Sequence, residues 1–126
     1  MSAGGDGREG TASWRVTLDV FSGRPNPTWR LAGAAAEDLE RRLRAALPAP
    51  RGAPVQPPDL GYRGFLLGKQ PAAEGEMRVY GGWISGPEGR WLDPGRGLER
   101  WLLASAGDRL ERPVFEHVLH AIEERV

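Results

Sequence analysis

Trp14, Val16, Leu18 and Val20 alternate with Arg15, Thr17, Asp19 and Phe21, the period-2 pattern of a strand with two different faces. It predicts a strand from about Ser13 to Phe21. Thr28 to Leu31 reads as a second, shorter strand with Trp29 and Leu31 on one face. The intervening stretch F-S-G-R-P-N-P-T-W, Phe21 to Trp29, packs two turn signals between apolar segments. Ser22-Gly23 supplies positive φ at little steric cost, while Pro25 and Pro27 fix φ and push Arg24 and Asn26 toward extended geometry. The loop is therefore expected to hold one shape and to present Arg24 and Asn26.

The period then changes. Leu39, Leu43 and Leu47 recur every four residues with Ala35, Ala36 and Ala46 beside them, which predicts a helix from Ala34 to Leu47 ended by Pro48. Pro48 to Pro58 holds five prolines and cannot donate regularly to a ladder, so it reads as a loop of polyproline character. Strand patterns resume at Tyr62 to Leu67, Met77 to Ile84 and Arg90 to Leu92, the last two forming a hairpin across Gly86-Pro87-Glu88-Gly89. Gly81-Gly82 inside the middle run reads as a bulge or a close approach. Asp93-Pro94 signals a helix start, with Leu98, Trp101, Leu102 and Ser105 on one side as far as Ala106, and Trp101 is expected to anchor this helix on the sheet. A last helix runs from Pro113 toward Val126 with a stripe of Phe115, Val118, Leu119, Ile122 and Val126. The order ββα-βββ-αα predicts one α+β domain over 13–126: an antiparallel or mixed sheet of four to five strands, with about three helices packed mainly on one face. Residues 1–12, glycine-rich and polar, read as a disordered tail.

Composition narrows the function classes. The chain has 126 residues, 40% hydrophobic and 27% charged, with 17 basic and 17 acidic side chains. No cluster of adjacent basic residues marks a nucleic-acid or membrane-surface partner. Arg41, Arg42 and Arg44 interleave with Glu37, Asp38 and Glu40 as a solvated helix face. Cysteine is absent, which removes disulfides and thiolate chemistry. No stretch reaches membrane-spanning length and the N-terminus lacks the apolar core of a secretory signal, so cytoplasmic residence is the expectation. Lys69 is the only lysine against many arginines, a bias that fits a GC-rich bacterial genome and weakens arginine abundance as a sign of oxyanion binding.

Candidate chemistry centres on the loop. Asp19, Ser22, Arg24, Asn26, Thr28 and Trp29 gather a carboxylate, hydroxyls, a guanidinium, an amide and an indole in one short unit. Arg24 can fork onto a carboxylate or phosphate, with Asn26 adding an amide and Trp29 a stacking surface. Alternatively Asp19, Ser22 and Asn26 bond the backbone of their own turn. A hard cation held by Asp19, Ser22 and Asn26 is a third option, disfavoured because calcium loops usually use several carboxylates. His117, His120 and Glu124 have metal-ligand spacing, but helical geometry turns them away from the apolar stripe, so no metal and no cofactor is expected. Trp14, Trp29, Trp83, Trp91 and Trp101 are many for this length and are expected to be mostly core, although Tyr62, Arg63, Tyr80 and Arg90 could join an exposed ring in a patch. Asp19, Asp59 and Asp93 could meet in space. No nucleophile elbow, phosphate loop, G-x-G-x-x-G or H-E-x-x-H is present.

The motif F-S-G-R-P-N-P-x-W, flanked by L-D-V before and R-L after, resembles a segment of small uncharacterised microbial proteins. The resemblance implies no activity and transfers no catalytic residue. The leading expectation is a non-enzymatic binding module, an accessory or inhibitor-like protein that recognises a protein or peptide partner through the Phe21–Trp29 loop. The alternatives are a small enzyme or metal-dependent factor using Asp19 and Asn26 or His117 and His120, and a structural homo-oligomer.

Overall fold

In the computed structural model, residues 13–52, 61–70 and 75–124 are described; the expected tail, Asp59 and most of the proline-rich loop lie outside them. The chain runs β1 (Ser13–Leu18), β2 (Thr28–Leu31), α1 (Gly33–Ala45), β3 (Phe65–Gln70), β4 (Met77–Tyr80), β5 (Trp83–Gly86), β6 (Gly89–Leu92), α2 (Gly97–Ser105) and α3 (Arg112–Glu124). The strands form one antiparallel sheet in the order β2-β1-β3-β4-β5-β6.

The α+β class holds, but the sheet has six strands where four to five were expected. The difference lies at Gly81-Gly82. Both residues have positive φ, 67° and 93°, which a type I′ two-residue hairpin loop requires and which glycine adopts without steric penalty. The Met77 to Ile84 run is therefore two strands, with Tyr80 opposite Trp83. β1 also stops before its expected end, because the Val20 and Phe21 N–H groups bond the Asn26 side chain in place of a strand partner.

Cross-strand register explains the core. Val16 faces both Trp29 and Leu67, and Leu18 faces Phe65. Phe65 faces Val79, which faces Ile84. Because side chains alternate across a pleated sheet, one face thus carries Trp14, Val16, Leu18, Trp29, Leu31, Phe65, Leu67, Val79 and Ile84, all buried. Leu39 of α1, Leu98, Leu102 and Leu103 of α2, and Val118 and Ile122 of α3 complete the apolar cluster. Leu47, expected on the α1 stripe, lies beyond the helix end and is 65% exposed. Trp101 is half-buried beneath the Arg42 guanidinium, 4.9 Å from its centroid, while Leu98, Leu102 and Leu103 fill the core. Past α1 the chain follows the outer edge of β6: Leu92 N–H donates to Leu47 C=O at 2.8 Å and Ala49 N–H to Arg90 C=O at 2.9 Å.

α2 starts one turn later than Asp93-Pro94 implied. A short 3-10 turn, Pro94–Arg96, intervenes, and Gly95 and Arg96 both lie in the left-handed region. Asp93 still caps the helix, its two carboxylate oxygens accepting the N–H groups of Leu98 at 2.7 Å and Glu99 at 3.1 Å. Burial pushes the Asp93 carboxyl above its ordinary value, and the two N–H donors oppose that rise.

Candidate functional site: the Phe21–Trp29 loop

The loop closes on a polar node at the end of β1. Asp19 is almost fully buried. Its Oδ1 accepts Arg63 Nη2 at 2.8 Å, and its Oδ2 accepts Arg78 Nη1 at 2.8 Å. The backbone joins in, with Asp19 N–H donating to Gly64 C=O and Arg63 N–H to Asp19 C=O. Gly64 is required here: its φ is +99°, and a Cβ would lie 2.5 Å from Val79 O. Arg63 also donates to Phe21 C=O, and Arg78 to Arg63 C=O. Asn26 Oδ1 accepts both the Val20 and Phe21 N–H groups, at 3.0 and 2.7 Å, and its Nδ2 reaches Asp19 Oδ1 at 3.4 Å. The amide thus substitutes for a missing strand partner and ties both limbs of the loop together.

Burial raises the pKa of Asp19, but the hydrogen bonds and charges of Arg78 and Arg63 together outweigh it and hold the carboxyl below its ordinary value of 3.8. A depressed native pKa contributes stability that is present above the unfolded value and is lost as pH falls through the native one. The stability difference between wild type and Asp19→Asn is therefore expected to shrink on acidification below about pH 4. Urea melts in steps from neutral to strongly acidic pH check this; a difference independent of pH would remove the charge from the account of this node.

The six loop residues separate into two groups. Asp19 and Asn26 are tied into the turn. Trp29 is core, its ring edge-on to Phe65 at 6.3 Å and its Nε1–H donating to Ser105 Oγ at 3.0 Å. Ser22, Arg24 and Thr28 are exposed. The Arg24 guanidinium stacks over the Phe21 ring, 3.8 Å from its centroid, and borders a hollow of about 160 Å³ shared with Pro27, Arg109, Leu110, Glu111 and Val114.

A second polar node was not anticipated. Glu99 is wholly buried and Arg96 nearly so. Arg96 forks onto Glu99, Nε to Oε1 at 2.8 Å and Nη2 to Oε2 at 2.7 Å, while Tyr62 Oη and Gly81 N–H donate to the same carboxylate. Burial and the adjacent Glu99 push the Tyr62 hydroxyl pKa up, so it stays a donor. Tyr62 and Tyr80 are buried beside this node rather than in a surface patch, and Arg63 belongs to the Asp19 node. The one sequence signal was Arg96 and Glu99 at helical spacing (i, i+3) within a glycine-rich turn. Asp19 and Asp93 sit in separate nodes with no shared partner among the described residues.

His117 and His120 are exposed on α3, and the side chain of Glu124 lies outside the described residues. Among the described residues no group of three or more acidic or histidine side chains could hold a metal, and no helix is long and apolar enough to cross a membrane. At the far end of the sheet Trp14, Lys69, Met77, Pro87, Glu88 and Trp91 line a larger hollow of about 320 Å³. Searches against protein-family models, curated proteins and solved structures return no match.

Proposed function

We propose that the chain is a cytoplasmic, non-enzymatic binding module, an accessory or inhibitor-like protein that engages a protein or peptide partner through the exposed side of the Phe21–Trp29 loop. In this reading the helices gather on the apolar face of the sheet, and the loop is the rigid edge that meets the partner. The observation that carries it is the state of Arg24. Its guanidinium lies over the Phe21 ring beside a hollow, on a loop anchored by Asn26 and the Asp19 node. A pre-positioned arginine loses less side-chain freedom on binding than a mobile one, which favours bidentate capture of a partner carboxylate. Ser22 and Thr28 flank it as adaptable hydrogen-bonding groups.

Asn26 is unsuitable as a binding probe because its loss would undo the loop. Arg24→Ala is expected to leave the melting temperature within error of wild type and to abolish retention of a specific partner in pull-downs from the host lysate. Asn26→Ala, which strands two backbone N–H groups, is expected to lower stability by about 1–3 kcal/mol. Equal retention by wild type and Arg24→Ala would remove the loop as the contact site. The hollow between Trp14 and Trp91, within the size range of small-molecule sites, supports a second reading as a carrier or small enzyme; a saturable change of tryptophan fluorescence with a ligand fraction would favour it.

A further inference from the structure

From the edge of β2 we infer a strand-docking site for an extended acidic segment of a partner protein, a proposal that rests on the binding-module reading but uses a different surface from the Arg24 hollow. β2 ends the sheet, and no described residue pairs with its outer side. The phase of the ladder fixes which groups face outward. Leu18 N–H donates to Pro27 C=O at 2.9 Å, and bonded pairs recur every second residue in antiparallel ladders. Pro27, Trp29 and Leu31 therefore turn their backbone groups toward β1, while Thr28 and Arg30 turn theirs outward, a short template for strand addition.

The side chains around that edge specify charge. Arg30 lies directly opposite Arg15, and Thr28 opposite Thr17. Both arginines are exposed, and neither forms a hydrogen bond or ion pair with a described residue. Like charges placed directly opposite destabilise an antiparallel pair, and an uncompensated local conflict of that kind points to a use outside the folded chain. The two threonine hydroxyls lie 3.4 Å apart beside them. Further along the same face Arg78 is committed to Asp19 and Arg90 stacks on Trp83, 4.5 Å from its centroid. Asp19 lies on the same face but is taken up by Arg63 and Arg78, and no ion pair joins Glu76 or Glu88 to Arg15 or Arg30. Arg30 discourages pairing with basic strands, as edge charges do, but a carboxylate next to Arg30 turns the same charge into an attraction. Acidic protein is favoured over nucleic acid because 17 basic and 17 acidic residues leave no long-range field for a polyanion.

Amide chemical shifts of the full chain, followed by NMR during addition of a synthetic octapeptide alternating glutamate with threonine, test the proposal. Saturable shifts are expected at the Thr28 and Arg30 amides, unchanged in Arg24→Ala and about tenfold weaker in Arg15→Gln/Arg30→Gln, whose spectrum also reports that the variant is folded. No shift at millimolar peptide, equal shifts with an octapeptide alternating lysine with threonine, or tighter binding of oligouridylate to the same face would each overturn it. Shifts centred on Phe21 to Asn26 and lost in Arg24→Ala would overturn the strand site while leaving the loop reading standing.

Discussion

Glu99→Gln is expected to destabilise the fold by about 3–5 kcal/mol, the usual consequence of removing one partner from a buried ion pair. The amide keeps one acceptor oxygen where the carboxylate has two, so either Tyr62 or Gly81 also loses its acceptor, and Arg96, 4% exposed, is left cationic in the core without its counter-ion. Arg96 carries a second constraint, because it is the one non-glycine residue with positive φ among those described, at 55°. Left-handed geometry costs a non-glycine residue about 1–2 kcal/mol. Arg96→Ala, which retains that strain and abandons the carboxylate, is therefore expected to be less stable than Arg96→Gly by about 1 kcal/mol. Chemical denaturation of the three variants beside wild type checks both statements. A Glu99→Gln midpoint close to wild type would mean that the turn from Gly81 to α2 is held by packing and not by this pair. The arrangement ties Tyr62, the β4–β5 turn and the start of α2 to one carboxylate, so its rupture would loosen three segments together.

The second large effect is expected at Trp29. Trp29→Ala removes a buried ring packed on Phe65 and the indole donor to Ser105 Oγ, whose own hydrogen bond to Leu102 C=O at 2.6 Å remains. Burial of this kind gives a loss of about 3–5 kcal/mol, a fall in Tm on the order of 10 °C or more for a domain of this size. Trp29→Phe retains most of the apolar area and loses only the indole donor, so about 1 kcal/mol is expected. Thermal melts of both variants distinguish core from surface: a Trp29→Ala protein that melted with wild type while losing its partner would make the ring a contact residue. Arg24, three residues after the start of the same motif, is expected to behave in the opposite way.

The motif thus mixes anchors with presented groups, and sequence alone could not sort them. Asn26 was legible as a turn residue or a recognition residue; its two backbone donors, Val20 and Phe21, decide that its side chain is engaged within the loop. Asp19 looked like the polar member of an alternating strand. Its partners Arg63 and Arg78 lie 44 and 59 residues away, and no local pattern foretells pairs so remote. The buried Arg96–Glu99 pair was hidden for a related reason: charges at that spacing usually belong to a solvated helix face, as Asp38 with Arg41 and Arg42 does on α1. Gly81-Gly82 misled the strand count because a glycine pair serves a bulge and a two-residue turn equally well.

The chain's own periodicities determined the α+β class and the positions of β1, β2, α1 and α3, because alternation and helical spacing act over a few residues. Tertiary structure alone decided the six-stranded order, which charges are buried, and which arginines beside β2 have no ion-pair partner among the described residues. Those outcomes depend on which distant segments meet, and local steric and solvation preferences carry no information about that.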